Sequence, residues 1–328
     1  MTVSFSQALN RALADELSSD STVVLMGEDI GSAGGSFAVT RGLQTAFGER
    51  RVIDTPISEA SIVGAAVGAA MSGLRPVVEI MFMDFVTLAM DAIVNQAAKA
   101  RFMFGGAFSV PLVVRMPHGG GLSAGPQHSQ CLEAWFAHVP GLKVVCPCEP
   151  ITGYALLRAA IRDPNPVIFV ENKRLYGMKA ELPEAPPDLA LGQAVIRRAG
   201  TDLTLVSYGA TVHHALEAAS ILSTEGFEIE VIDLATLQPW DEQTVRSSVM
   251  RTGRLVVAHE AVEEFGIGAE IAARLAQIAH HALKAPITRV GAAFMPTPFA
   301  PELEAEAIPG VNRIAHECRS IIKQGALR

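Results

Sequence analysis

The stretch RVIDTPISEASIVGAAVGAAMSGLRPVVEIMF, residues 51–82, contains two apolar runs separated by a longer run of small residues. RVIDT (51–55) and PVVEIMF (76–82) have the length of buried strands, and residues 58–73 between them predict a helix. Strands without polar alternation, joined by helices, are typical of a parallel sheet covered on both faces. Because the helix is rich in Ala and Gly, we expect it to pack tightly on several sides.

The same alternation extends to both sides of this stretch. It breaks at ELPEAPPDLALG (181–192), where three prolines and the loss of periodicity predict a linker, and it then restarts. We therefore predict an α/β protein with two doubly wound domains and mostly parallel sheets, residues 1–185 and 186–328. The other predicted strands are 23–27, 110–116, 142–147, 166–171, 203–209, 227–234, 254–260 and 285–291. The other predicted helices are 4–19, 40–48, 84–104, 127–138, 150–162, 211–225, 241–251 and 266–282.

Composition and charge exclude several classes of protein. The chain is 49% hydrophobic and 18% charged, which is enough apolar material for buried cores. Its net charge is −8 and it has no basic stripe, so we expect no nucleic-acid partner. The amino-terminal residues lack the apolar core of a secretory signal, and charged residues interrupt the most apolar region, so we expect no membrane span. Without an export signal, the four cysteines indicate reduced thiols and a cytoplasmic location.

Two glycine-rich segments resemble known motifs. GSAGGS (31–36) is not followed by the Lys and Ser or Thr of a phosphate-binding loop, so we interpret it as an exposed surface loop. The segment 115–130 contains HGGG (118–121) and a G-x-S-x-G string around Ser123, which together suggest a serine hydrolase. In hydrolases these two strings lie on different loops, whereas here they share a glycine. The alternatives are a flexible loop, or a loop whose backbone approaches a ligand closely.

Polar and aromatic residues stand at the predicted strand ends. Glu28, Glu59 and Phe85 follow three of these strands, and a fourth leads through the glycine loop to His128. Ligands of parallel sheets bind beyond the carboxyl ends of the strands, so these four residues are candidates for one site. His128 has a side chain that can exchange protons near neutral pH.

Glu59 is an unusual carboxylate because it precedes a run of small apolar residues. Burial disfavours the charged form of a carboxyl group, so a protonated or proton-sharing Glu59 could hydrogen-bond a ring nitrogen. Alternatively, Glu59 only stabilises the start of its own helix, with Ser58 as the capping residue. Residue chemistry alone leaves both interpretations open.

Several long strings resemble one protein family, the beta subunits of thiamine-diphosphate-dependent 2-oxo acid dehydrogenases. These subunits belong to the decarboxylating component of multienzyme complexes. The resemblance covers nearly the whole chain. It is carried by residues 51–82, MGEDIG (26–31), GPQHSQCLEAWFAHVPGLKVV (125–145), AAIRDPNPVIFVE (159–171), GATVHHALEAA (209–219) and PTPFAPELE (296–304).

The resemblance implies a pyrimidine-binding domain followed by a domain of the transketolase carboxy-terminal type. It implies that Glu59 activates the cofactor through its aminopyrimidine ring, and that His128 handles protons on the intermediate and in transfer to lipoyl. Phe85 matches the aromatic residue that stacks on the pyrimidine. The remaining implied positions are Ile57, Met81 and Glu28 around that ring, and Leu112, Ala160, Asp163 and Asn165 at a potassium site formed largely by backbone oxygens.

The resemblance also implies partners. The family's diphosphate and magnesium motif begins with GDG and belongs to the alpha subunit, and this chain contains no GDG. We therefore expect an α2β2 heterotetramer that shares thiamine diphosphate, leaves Mg²⁺ to the alpha subunit and docks on a lipoyl acyltransferase core.

The expected substrate is pyruvate or acetoin. FMFGG (102–106) and the glycine-rich loop resemble acetoin-type members, and Met81 resembles both types. The alternatives are a branched-chain 2-oxo acid dehydrogenase, a serine hydrolase that uses Ser123, and a noncatalytic partner subunit.

Overall fold

The computed structural model describes residues 2–325, which group into two compact units. The first unit comprises Met1–His118 and Trp135–Leu191, and the second comprises Gly119–Ala134 and Gly192–Arg328. The loop that contains His128 therefore belongs to the second unit, although it lies within the sequence of the first. The functional domain boundary at residues 185 and 186 stays a prediction.

The first unit is built on a parallel sheet. Its strands are β1 (Thr2–Ser4), β2 (Val23–Gly27), β3 (Val52–Asp54), β4 (Arg75–Glu79), β5 (Val113–His118), β6 (Lys143–Val145), β7 (Val167–Asn172) and β8 (Lys179–Glu181). Its helices are α1 (Phe5–Ser19), α2 (Leu43–Phe47), α3 (Glu59–Met71), α4 (Ala98–Met103) and α6 (Pro150–Arg162), and α5 (Glu133–Ala137) crosses the limit of the unit. The sheet order is β6-β7-β5-β4-β2-β3, with every neighbouring pair parallel, and β1 pairs with β8 antiparallel.

The second unit has a smaller sheet. The strands of this unit are β9 (Val195–Arg198), β10 (Leu203–Ser207), β11 (Ile229–Asp233), β12 (Thr236–Gln238), β13 (Leu255–Val262) and β14 (Thr288–Ala292), and all except β12 belong to the smaller sheet. Its helices are α7 (Thr211–Thr224), α8 (Glu242–Thr252), α9 (Ile267–Ile278), α10 (Pro301–Ala307) and α11 (Val311–Gly325). The order β14-β13-β10-β11-β9 is parallel except for the edge strand β9. The prediction of two α/β sheets, mostly parallel, is confirmed.

Helix α3 differs from its prediction in packing. Its buried side consists of Glu59, Ile62, Val63, Ala66, Val67 and Ala70. Its other side is exposed and consists of Ala60, Ser61, Gly64, Ala65 and Gly68. A Cβ atom added at Gly64 or Gly68 would meet no atom within 4 Å in the described chain. The expectation of tight packing on several sides is therefore wrong for this chain, in which one face of small residues lies open.

Two predicted helices also change. The pattern at 84–104 is a 3-10 helix (Met83–Ala89), a π-helical turn (Ala92–Ala97) and α4, rather than one helix. The predicted helix 127–138 begins only at Glu133, because an irregular loop occupies residues 119–132. His128 accordingly lies in a turn and not at a helix start. Among residues 2–325 the structure has no helix that is both long and apolar enough to cross a membrane.

Candidate active site

A pair of buried carboxyl groups lies at the carboxyl ends of β2 and β3. Glu28 follows β2 and is 6% exposed, and Glu59 begins α3 and is 5% exposed. The backbone N–H of Ser58 donates to Oε1 of Glu28 at 3.2 Å. Burial and then the neighbouring carboxylate of Glu59 raise the pKa of Glu28. Glu28 can therefore hold a proton more readily than a solvated glutamate.

Ser58 does not cap α3 through its side chain. It occupies the N-cap position without a side-chain capping bond, and its hydroxyl donates to the carbonyl oxygen of Pro56 at 3.1 Å. Glu59 still lies in the first turn, where the helix dipole favours negative charge. The carboxylate of Glu59 therefore both lies in the first turn of α3 and is buried beside Glu28.

Apolar side chains accompany these carboxyl groups in the first unit. Ile57 is 81% exposed, whereas Met81 and Phe85 are half-buried beyond the end of β4. Phe85 contacts Phe82 edge to face, with ring centroids 5.9 Å apart. Phe82 in turn meets Phe37 at 5.9 Å. The position of Phe85 therefore depends on a set of packed rings.

A buried ion network lies beside this edge of the sheet and was not foreseen from the sequence. Arg115 on β5 is 2% exposed and donates to Glu79 Oε2 at 2.7 Å. It also donates to both oxygens of Glu171, at 2.7 and 2.8 Å, and the Tyr176 hydroxyl donates to Glu171 at 2.7 Å. The available signal was the single charged residue within each of two apolar runs, Glu79 in residues 76–82 and Arg115 in residues 110–116.

The charges of this network shift its pKa values. Burial raises the pKa of Glu79, although Arg115 opposes that shift. Burial alone would lower the pKa of Arg115, but Glu171 and Glu79 hold it above the ordinary value of an arginine. Burial, with Glu171 beside it, raises the pKa of Tyr176 well above its usual range. Arg115 thus remains a buried cation between two carboxyl groups.

The glycine-rich segment 31–36 is held against the sheet. The N–H of Gly31 donates to Asp54 Oδ1 at 2.6 Å, and Gly31 and Gly34 are buried. A Cβ added at Gly35 would lie 3.1 Å from a carboxylate oxygen of Glu79, and its φ of +79° favours glycine. Interpreting this segment as an exposed surface loop is therefore wrong for its glycines, because they approach side chains at two strand ends.

The second unit contains the glycine loop and His128. His128 is half-buried, and its N–H donates to the carbonyl oxygen of Gly125 at 3.3 Å. The N–H of Gly121 and the N–H of Ser123 donate to the Glu304 carboxylate, at 2.8 and 3.0 Å. The N–H of Gly120 donates to Oε1 of Glu260 at 2.6 Å. An oxyanion hole needs such groups aimed at a substrate oxygen, so this geometry argues against a serine hydrolase.

The side chains at the predicted potassium site have cationic neighbours. The Asp163 carboxylate pairs with the Lys143 ammonium and accepts two hydrogen bonds from Asn165, both at 2.9 Å. Oδ1 of Asn165 accepts from Arg101 at 2.6 Å. A cation at this position would therefore depend on backbone oxygens.

Two of those backbone oxygens accept a hydrogen bond from a backbone N–H of the chain. The carbonyl of Leu112 accepts the N–H of Val167 at 2.8 Å, and that of Ala160 accepts the N–H of Asp163 at 3.2 Å. A carbonyl oxygen has two lone pairs, so accepting such a hydrogen bond does not by itself prevent it from binding a cation.

The comparisons with known proteins match both parts of the chain. Residues 1–179 match the family "Transketolase, pyrimidine binding domain", and residues 192–314 match "Transketolase, C-terminal domain". The acetoin:2,6-dichlorophenolindophenol oxidoreductase subunit beta of Cupriavidus necator is 47% identical over 98% of each chain. The chain belongs to the transketolase-like family of pyruvate and acetoin dehydrogenase beta subunits.

Further relatives in this beta-subunit family are pyruvate dehydrogenases. The pyruvate dehydrogenase E1 component subunit beta of Rhizobium meliloti is 44% identical over 98% of this chain and 70% of its own length. The mitochondrial pyruvate dehydrogenase E1 component subunit beta of Homo sapiens is 44% identical over 95% of this chain and 88% of its own length. A solved structure, "Split gene transketolase, inactive beta4 tetramer", matches the fold with a TM-score of 0.81, at 21% identity and over 98% of each chain.

Proposed function

We propose that this chain is the beta subunit of a thiamine-diphosphate-dependent dehydrogenase that cleaves pyruvate or acetoin oxidatively and transfers the acyl group to lipoyl. The observation that carries this proposal is the buried pair of Glu28 and Glu59 at the carboxyl edge of a parallel sheet. Relatives with 44–47% identity over nearly the whole chain bear pyruvate dehydrogenase and acetoin oxidoreductase names, which supports the substrate class.

Glu59 is the proposed catalytic residue on this chain. Thiamine diphosphate, when bound, supplies the electron sink for carbon–carbon cleavage. The Glu59 carboxyl is 5% exposed and lies beside Glu28, and we assign it the hydrogen bond to a ring nitrogen of the cofactor. Glu28 supports this role, because burial and then the neighbouring Glu59 raise the pKa of Glu28.

Ile57, Met81 and Phe85 are the proposed binding residues for the cofactor's pyrimidine ring. All three keep accessible apolar surface at the end of the sheet, and Phe85 is supported by Phe82. An aromatic face and two flexible apolar side chains suit a flat heteroaromatic ring. His128 is the proposed residue that moves protons on the substrate side and during transfer to lipoyl.

The proposed assembly is an α2β2 heterotetramer. The open face of α3, with Gly64 and Gly68, supports this because small residues allow another backbone to approach closely. The diphosphate and Mg²⁺ are assigned to the alpha subunit, since this chain has no GDG motif. We also propose a potassium ion that is held mainly by backbone oxygens, such as those of Leu112 and Ala160. The assembled heterotetramer is proposed to dock on a lipoyl acyltransferase core.

A cytoplasmic location belongs to the proposal as well. The four cysteines are free thiols, which fits a reducing compartment. They are Cys131, Cys146, Cys148 and Cys318.

The test is turnover by this chain co-purified with its alpha subunit in thiamine diphosphate and Mg²⁺. Ferricyanide reduction is measured with pyruvate, acetoin and 3-methyl-2-oxobutanoate in parallel. Turnover of pyruvate or acetoin supports the proposal, and turnover of the branched-chain acid alone moves the function to that alternative. A heterotetramer that turns over none of them contradicts it. Labelling of Ser123 by a fluorophosphonate probe would instead indicate a hydrolase.

A further inference from the structure

The glycine loop 119–125 has an unusual alternation of backbone conformations. Positive φ angles occur at Gly119 (+88°), Gly121 (+86°), Ser123 (+54°) and Gly125 (+75°). Alternating backbone of this kind turns several N–H groups towards one concave side, where an anion can be bound. Ser123 adopts the left-handed region although it is not a glycine, so the surrounding structure must stabilise it there.

A carboxylate of the chain itself occupies this concavity. Glu304 on α10 is 3% exposed, and its two oxygens accept from Gly121 and Ser123 at 2.8 and 3.0 Å. Glu260 on β13 accepts from the intervening loop position Gly120 at 2.6 Å. Hydrogen bonds from N–H groups to carboxylates are charge-assisted and stronger than neutral ones. The loop therefore has an internal ligand in place of an external anion.

Residues 299–308, which include α10, also restrict the loop 119–125 sterically. A Cβ atom at Gly120 would lie 2.6 Å from Cδ1 of Ile308 and 2.9 Å from Oε1 of Glu304. A Cβ atom at Gly125 would lie 2.1 Å from the ring of Phe299. Residues 299–308 thus contact the loop from one side through an apolar ring, an apolar chain and a carboxylate.

We propose that Glu304 is a positioning residue, whose buried carboxylate holds the loop 119–125 and thereby fixes the location of His128. The link to His128 is short, since the His128 N–H donates to the carbonyl oxygen of Gly125. The inference rests on the proposed function, in which His128 moves protons. Without the Glu304 carboxylate, two N–H groups lose their acceptor and the strained loop conformation loses its main support.

The first experiment measures amide hydrogen exchange of the assembled complex. The variants are Glu304→Ala and the nearly isosteric Glu304→Gln, with Glu306→Gln on the exposed side of the same helix as the control. Loss of a charge-assisted bond predicts that exchange in residues 119–128 rises about 10- to 100-fold in Glu304→Ala and less in Glu304→Gln. The β10 amides and the control should be unchanged. Unchanged exchange of the loop in both variants would overturn the proposal.

The second experiment tests whether Glu304 acts through His128. Glu304→Gln should lower kcat/KM less than Glu304→Ala does, so kcat/KM should fall in the order wild type, Glu304→Gln, Glu304→Ala. In a His128→Gln background each of these two changes should lower kcat/KM by less than about twofold, since the effects of coupled residues are not additive. Fully additive losses would refute the link. If the wild-type complex turns over no oxo acid or acetoin, the proposed function fails, and loop exchange alone decides whether Glu304 holds the loop.

Discussion

Replacing Arg115 by Met should destabilise the first unit strongly. The change removes the cation that three hydrogen bonds of 2.7–2.8 Å join to Glu79 and Glu171, and it leaves two buried carboxyl groups without that partner. Breaking a buried pair in this way costs about 3–5 kcal/mol. The exposed Arg50 provides the matched control, since Arg50→Met should change the free energy of unfolding by less than about 0.5 kcal/mol.

The destabilisation caused by Arg115→Met should increase as pH rises. Glu79 has a raised pKa in the folded chain, so folding takes up protons and the stability from this group falls as pH rises through that pKa. Without Arg115 this dependence should grow, and the destabilisation should be larger at pH 7.5 than at pH 5.5. Adding Glu79→Gln and Glu171→Gln to Arg115→Met should restore stability, because no charge then remains buried in the network.

Urea unfolding at both pH values provides the assay. Trp135 lies in the first unit and Trp240 in the second, so a Trp240→Phe background makes the fluorescence report on the first unit. If Arg115→Met lowered the free energy of unfolding by less than about 1 kcal/mol at pH 7.5, the buried network would not be a strong stabilising feature, because breaking a buried ion pair costs several times more. A loss that does not shrink at pH 5.5 would refute the predicted pH dependence.

Three further predictions concern the sites described above. Glu28→Gln should stabilise the chain against urea at pH 8 but not at pH 4, because the raised pKa of Glu28 costs stability only where its carboxyl is ionised in the unfolded chain. Gly125→Ala should cost about 1–3 kcal/mol in urea unfolding, from its positive φ and the Phe299 ring, and Phe299→Ala should recover the steric part. Gly68→Ala should stabilise the chain by about 0.5–1 kcal/mol, while Gly68→Leu should prevent assembly with the alpha subunit in size-exclusion chromatography.

The parallel strands of both sheets were predictable from the sequence, because apolar runs such as VVLMG indicate a buried strand whatever packs against them. The antiparallel edge strand β9 was not predicted, because VIRR (195–198) is too short and too charged to stand out. The open face of α3 was not predictable. Alanine and glycine count as apolar in any pattern, and the pattern does not show whether a neighbour from the same chain or another chain covers them. Gly64 and Gly68 therefore looked like core residues and lie exposed in this chain.

The carboxylate contacts needed three-dimensional information. Glu304 holds Gly121 across 183 residues of sequence, and no local pattern connects the two. The Arg115 network was closer to prediction, because Glu79 and Arg115 are paired by the parallel register of β4 and β5. A charged residue inside each of two buried strands could have indicated an ion pair. The helix predicted from residue 127 begins only at Glu133, and the loop before it donates to the distant Glu304 at Gly121 and Ser123, a contact that no local pattern shows.

Activity of the complex that carries Glu59→Gln shows whether Glu59 is a catalytic residue. The variant is co-purified with the alpha subunit, and Glu49→Gln, at an exposed glutamate of the same unit, serves as the control. Ferricyanide reduction is measured with pyruvate and acetoin alongside calorimetric binding of thiamine diphosphate. We expect the heterotetramer to form and to bind the cofactor. Glu49→Gln should keep wild-type turnover, and Glu59→Gln should lose at least about 100-fold in kcat. Full turnover by Glu59→Gln would exclude a catalytic role for Glu59 and would indicate a noncatalytic partner subunit.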